Sequence, residues 1–162
     1  MLCWLQARDT DNSLRVVAPA NLHITLRFLG MVPSTDIVLI QQVMERVISN
    51  SRCFELSLQG VGNFRDSLWL GINDSEPLAE LVMGLSQALS VIGFPVESRA
   101  YLPHLTIARI ARNGKFEINA VQQKYSEQQW GSLSVNQIHL YESKTLPGGA
   151  EYSILHSSTL QD

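Results

Sequence analysis

The chain has 162 residues, 45% of them hydrophobic, a formal net charge of −3 and a pI near 5.8. That is enough sequence for one domain with a packed core, and no apolar run approaches the roughly 18 residues of a membrane span. The acidic balance argues against a long basic groove gripping nucleic acid by its backbone, and leaves room for a local pocket for an RNA end or a nucleotide.

The N-terminus lacks a basic segment followed by an apolar stretch, so no secretory signal is expected. Cys3 and Cys53 are isolated and form no CxxC pair, which points to a reducing compartment and a cytoplasmic protein. Residues 1–9 are too short for an element of their own, and 9–13 read as a polar turn. Residues 14–18 form a short strand leading through Pro19 into Asn-Leu-His-Ile-Thr-Leu-Arg-Phe-Leu-Gly at 21–30, also read as a strand.

Residues 34–50 predict a helix, with Ile37, Ile40, Met44, Val47 and Ile48 on one face. Phe54, Leu56 and Leu58 alternate with polar residues as in a half-buried strand, which Gly60 and Gly62 can bend. A turn at 65–67 leads to a more apolar strand at 68–72, hence a hairpin. Asn73-Asp74-Ser75 caps a second helix with Pro77 in its first turn; Leu78, Leu81, Val82, Leu85, Leu89 and Ile92 form its buried stripe, and Gly93 ends it.

A strand at 101–110 carries Leu-Pro-His-Leu-Thr-Ile-Ala-Arg. Asn113-Gly114 marks a turn. Residues 116–129 leave room for a short helix, 135–142 read as a strand containing His139, 146–149 as a loop, and 152–160 as a final strand.

One pattern occurs twice. His23-Ile24-Thr25 and His104-Leu105-Thr106 repeat His, any residue, Thr, then an aliphatic residue. Their histidines are 81 residues apart, half the chain, which suggests a duplicated unit with two similar lobes. On a strand, residues i and i+2 share a face. His23, Thr25 and Arg27 therefore point one way, and His104 and Thr106 share a face of their own strand. A single His-x-Thr is common, and a lone histidine is most often structural. Two copies set side by side suit a phosphate held between two imidazoles, one a general base and one a general acid, with threonine hydroxyls donating to its oxygens. Strict alternation puts Arg109 on the face opposite His104, so a bend or its long side chain must bring it round.

The paired motif resembles the 2H phosphoesterase superfamily, and within it the RNA 2′,3′-cyclic phosphodiesterases, also known as 2′–5′ RNA ligases. Ser67-Leu68-Trp69-Leu70-Gly71 and the ending Leu140-Tyr141-Glu142-Ser143 through Gly149-Ala150-Glu151-Tyr152 fit the same resemblance, which covers nearly the whole chain. It implies an α+β fold, a single bilobal domain over 1–162 whose largely antiparallel sheets, with helices outside, flank a central cleft. Against the family pattern the chain opens near the end of the first helix, so the first strand is expected to be missing.

The resemblance further implies that His23 is the proton donor and His104 the proton acceptor in hydrolysis of an RNA 2′,3′-cyclic phosphate to a 2′-phosphate. Thr25, Thr106, Arg109 and Arg27 become candidate phosphate contacts. Phe28 and Tyr101 are candidate base-stacking residues, with a core position the better expectation for Phe28. The partner expected is an RNA end or nucleotide bearing a cyclic phosphate, a tRNA fragment included, with no cofactor, no metal, no membrane and a monomeric state. His139 and His156 lack the spacing of a zinc site, and no Gly-rich P-loop supports an ATP-driven ligase. Running the cyclic-phosphate reaction backwards would give ATP-independent 2′–5′ ligation. A non-catalytic nucleotide-binding module, or an esterase for another cyclic phosphate or a 2′–5′ oligonucleotide, are the competing classes.

Overall fold

The computed structural model describes residues 9, 13–111, 116–146 and 149–162. In chain order they form β1 (Leu14–Val16), a 3-10 turn (Pro19–Asn21), a second 3-10 turn (Ser34–Asp36) running into α1 (Ile37–Ile48), β2 (Phe54–Phe64), β3 (Ser67–Ile72), α2 (Glu76–Val91), β4 (His104–Ile110), α3 (Ile118–Tyr125), β5 (Gln129–Val135), β6 (Gln137–Leu146) and β7 (Gly149–Thr159). The fold is α+β, and β1–β4, β4–β3, β3–β2 and β6–β7 all pair antiparallel. The expectation of a missing first strand, the Asn113-Gly114 turn, and Pro147-Gly148 of the expected loop lie outside the described residues.

The chain divides into two compact units, each built from three segments: Met1–Thr25, Ser57–Asn73 and Pro103–Ser132 in the first, Leu26–Leu56, Asp74–Leu102 and Leu133–Asp162 in the second. Both His-x-Thr copies fall in the first unit.

The first unit is built on the sheet ordered β1-β4-β3-β2-β5. One face of that sheet is apolar. Leu68 and Ala108 are fully buried there, with Leu70, Val61 and Ile107 beside them and Val121 of α3 packed against the cluster. Leu14 and Leu105 extend it. Removing this much apolar surface from water is what holds the sheet flat against α3, at about 25 cal/mol per Å². The β2–β3 hairpin turns at Arg65–Asp66 as its composition predicts, and Gly60 sits at a bulge with φ +69°. A side chain there would collide with the Ser126 carbonyl, 2.6 Å from the Cβ position, so glycine is required twice over.

The second unit is built on α1, α2 and the β6–β7 hairpin. Ile40, Met44 and Ile48 of α1 meet Leu81, Leu85 and Leu89 of α2, with Ile138 and Leu160 closing the cluster. These are the i, i+3, i+4 positions that the periodicity marked. Ser75 Oγ accepts from the Leu78 backbone N–H at 3.4 Å, capping α2, and Gly93 ends it at φ +98°. No helix among the described residues is long and apolar enough to cross a membrane.

A polar tie fixes α1 to β7. Glu45 Oε1 accepts from Ser158 Oγ at 2.8 Å and from His156 Nε2 at 2.7 Å. The Ser158 hydroxyl, then the His156 ring, hold the Glu45 carboxyl below its usual value of 4.5. A carboxylate favoured in the fold contributes stability above that pH and loses it as pH falls through the lowered value. Glu45→Gln is therefore expected to lower the melting temperature at pH 7, with the difference from wild type closing below pH 4.5. Melting curves between pH 3 and 8 check this, and a gap that stays constant with pH would contradict it.

Candidate active site

The site is built on β4, which lies between β1 and β3. Opposite β4, the partners on β3 are Gly71 for His104, Leu70 for Leu105, Trp69 for Thr106, Leu68 for Ala108 and Ser67 for Arg109. Cross-strand partners share a face, so Leu105 and Ala108 join Leu70 and Leu68 on the apolar face. His104 and Thr106 stand on the other face with Gly71 and Trp69, and both are half-buried.

The first copy reaches the same strand by another route. After β1 the chain leaves β4 through the Pro19–Asn21 turn and returns at a single antiparallel bridge, Ile24 to Leu105. The expected strand at 21–30 is thus one bridge, because Pro19 has no N–H to donate and the 3-10 turn lifts the backbone away from the ladder. That bridge still fixes which way its neighbours face. Ile24 shares the core side with Leu105, so His23 and Thr25 take the other side by alternation. Antiparallel pairing at this position sets His23 level with Thr106 and Thr25 level with His104. Both His-x-Thr pairs therefore belong to one face of one unit. His23 is half-buried, and its Nδ1–H donates to the Asn21 carbonyl at 2.8 Å. With Nδ1–H so engaged, Nε2 is the nitrogen left as acceptor in the neutral ring.

The parity problem with Arg109 has a structural answer. The register slips between Leu68 and Trp69, whose partners are Ala108 and Thr106, so Ile107 has no counterpart on β3. This bulge reverses alternation along β4. Arg109, opposite Ser67, comes out on the face of Trp69, Thr106 and His104. Its guanidinium lies 3.7 Å from Asp66, with both side chains more than half exposed.

Two aromatic residues support His104 that sequence reasoning did not single out. Phe64 meets its ring edge to face, centroids 4.8 Å apart at 87°, and Trp69 lies 6.0 Å away. Phe64 and Trp69 also contact each other at 5.4 Å. The indole lies over Gly62, where a Cβ would come within 2.1 Å of the ring. Trp69 Nε1 is buried and has no hydrogen-bond partner among the described residues. The signal was in plain view: Trp69 alternates with Leu68 and Leu70 and so cannot share their core face.

The other candidates lie in the second unit. Arg27 donates to the Pro95 carbonyl and lies 3.9 Å from Glu97, its side chain 14% exposed. The alternation argument fails for it because the chain bends at Leu26, immediately after the bridge. Phe28 is 79% exposed and is no core residue, for the same reason. Tyr101 precedes β4, and burial pushes its phenol up to about 12. His139 Nδ1 pairs with Ser157 Oγ at 2.8 Å, and His156 is held by Glu45. Among the described residues no three His, Cys, Asp or Glu side chains converge as metal ligands would.

Gly62→Ala tests the aromatic support. The added methyl has to displace the indole, so a loss of about 1–3 kcal/mol in stability is expected. The His104 ring proton resonances should move with it, because two ring currents change. Unaltered His104 shifts in a folded variant would show that Trp69 does not position the imidazole.

Comparison with known proteins identifies relatives of the chain. The chain matches the 2′-5′ RNA ligase superfamily over residues 5–145. An RNA 2′,3′-cyclic phosphodiesterase of Archaeoglobus fulgidus is 30% identical over 149 residues, which cover 89% of this chain and 82% of that protein. One from Methanothermobacter thermautotrophicus is 28% identical over 152 residues, 90% of this chain and 82% of that protein. A Thermus thermophilus structure shares the fold with a TM-score of 0.82 at 21% identity, covering 99% of this chain and 89% of its own. Escherichia coli LigT complexed with 3′-AMP has a TM-score of 0.78 at 25% identity, with coverage of 99% and 89%. The chain belongs to the 2′-5′ RNA ligase superfamily, the 2H phosphoesterases, and phosphoester chemistry is the activity of its family.

Proposed function

We propose that the protein hydrolyses 2′,3′-cyclic phosphates at RNA ends to 2′-phosphates, with His23 and His104 as the paired acid and base. The observation that carries this is the Ile24–Leu105 bridge, which sets two imidazoles and two threonine hydroxyls on one face of one sheet. The names of the relatives support the cyclic phosphodiesterase reading, and the LigT complex supports a nucleotide as the kind of ligand.

In this mechanism a water oxygen forms a new bond to phosphorus while the bond to the ribose 3′-oxygen breaks. Neutral His104 takes the proton from the attacking water. Protonated His23 gives its Nε2 proton to the departing 3′-oxygen, and its Nδ1 bond to Asn21 keeps that nitrogen aimed. Exchange with solvent resets both rings. Thr25 and Thr106 donate to the non-bridging oxygens as charge develops there, and Arg109 adds a positive charge on the same face. Arg27, engaged by Pro95 and Glu97, is left out of the phosphate contacts. Both proton transfers are supplied by side chains, so the reaction needs no metal. Reversal with an RNA 5′-hydroxyl in place of water gives 2′–5′ ligation, and hydrolysis dominates unless the two ends are held together.

The test is release of 2′-phosphate from an RNA oligonucleotide ending in a 2′,3′-cyclic phosphate, in EDTA. Wild type is expected to turn over, and His23→Ala and His104→Ala to lose about 10²–10⁴-fold each while keeping their melting temperatures. Thr106→Val should lower kcat more than it raises KM, because its hydrogen bond strengthens in the transition state. Full activity in either folded histidine variant, or loss of wild-type activity in EDTA, would overturn the mechanism.

A further inference from the structure

Arg27, two residues beyond Thr25, is costly where it stands. Its side chain is 14% exposed, and its Nε is buried with no acceptor among the described residues. Its carboxylate neighbour, Glu97, is 3.9 Å away and itself 59% exposed. Taking a guanidinium out of water with such incomplete pairing is unfavourable, and an apolar side chain in its place is often as stable or more so. Apolar surroundings are at hand, since Leu26, Leu29 and Val32 of the same segment pack against the core of the second unit. Stability alone therefore gives no reason for an arginine here.

Its place along the chain gives one. The chain passes from the first unit to the second between Thr25 and Leu26, and returns between Leu102 and Pro103, just before His104. The Arg27 guanidinium donates to the carbonyl of Pro95, which with Glu97 lies between α2 and the return crossing. One side chain thus ties together the two stretches that adjoin the two His-x-Thr copies. The first copy needs such a tie. Ile24–Leu105 is an isolated bridge, so no ladder holds residues 22–26 in register. On their N-terminal side the Pro19–Asn21 turn and the His23 Nδ1 bond to Asn21 fix them. On their C-terminal side the packing of Leu26 and Leu29 is non-directional and tolerates a shift along the chain. A hydrogen bond to one carbonyl does not.

We propose that Arg27 is a positioning residue: by holding the Pro95 carbonyl it fixes the C-terminal end of the first motif, so that His23 and Thr25 keep their register with Thr106 and His104. The inference rests on the reading of His23 and His104 as the paired acid and base. The buried cation is retained for register and not for stability, which is the best-attested use of such a group.

The test compares wild type, Arg27→Met and Arg27→Lys by melting temperature, by kcat and KM for a cyclic-phosphate RNA end, and by amide hydrogen exchange over residues 22–26. Arg27→Met keeps much of the side-chain length and removes the directional bond. It is expected to melt no lower than wild type, to lose kcat roughly 10–100-fold with KM little changed, and to exchange faster over 22–26. Arg27→Lys keeps the charge and a donor without the planar fork, and is expected to recover part of both kcat and protection. Wild-type kcat and protection in folded Arg27→Met would overturn the proposal, and so would a lower melting temperature with wild-type kcat per folded molecule. Should Arg27→Met fail to fold, Arg27→Lys decides: reduced kcat with faster exchange over 22–26 supports the anchor, and wild-type values for both overturn it. A wild type without hydrolase activity whose 22–26 amides loosen in Arg27→Met would sink the hydrolase reading and leave the anchor standing; an active enzyme indifferent to the substitution does the reverse.

Discussion

The proposed chemistry depends on one antiparallel bridge. Ile24 and Leu105 are neighbours across the edge of β4, and neither side chain reacts with anything. Their pairing nevertheless settles which face His23, Thr25, His104 and Thr106 take, because the residues before and after each of them must take the opposite face. Move the bridge by one residue and His23 and Thr25 would exchange places with Ile24, burying an imidazole and exposing an isoleucine. The apolar cluster on the other side of the sheet, with Leu68 and Ala108 fully buried, opposes any such slip. Core packing on one face thereby sets the register of the proposed catalytic residues on the other.

Three local irregularities complete that face. The bulge at Ile107 brings Arg109 onto the face of the histidines. Gly62 leaves the space into which Trp69 lies, and Trp69 with Phe64 walls in the His104 ring. The Pro19–Asn21 turn brings the Asn21 carbonyl to His23 Nδ1. A perfectly regular ladder would provide neither the first nor the last of these. The bulge and the turn each cost some backbone pairing, and the buried cluster beneath is what offsets that cost.

This also explains what the sequence could and could not reveal. The two long helices were legible because Ile40, Met44, Ile48 and Leu81, Leu85, Leu89 repeat at the helical period, and their burial follows. The motif pair was legible because its residue types and spacing recur. The regular strand expected at 21–30 was an error of extrapolation: a single bridge was extended into a ladder, and Phe28, expected in the core, is exposed. Arg109 posed the reverse problem, since no residue type announces a bulge at Ile107. β5 escaped notice because its side chains are mostly exposed and Gly131, at φ +105°, interrupts any strand pattern. The tie from Glu45 to His156 and Ser158 joins residues more than a hundred positions apart, which no local pattern encodes.

The central claim is that two imidazoles on one face act on one phosphate with opposite proton duties. The pH dependence of kcat/KM for a cyclic-phosphate RNA end, measured between pH 5 and 9 with chemistry rate-limiting, tests it most directly. The account predicts a bell for the wild type, with the high-pH limb absent from the residual activity of His23→Ala and the low-pH limb absent from that of His104→Ala. A flat wild-type profile, or both limbs surviving in either variant, would contradict it.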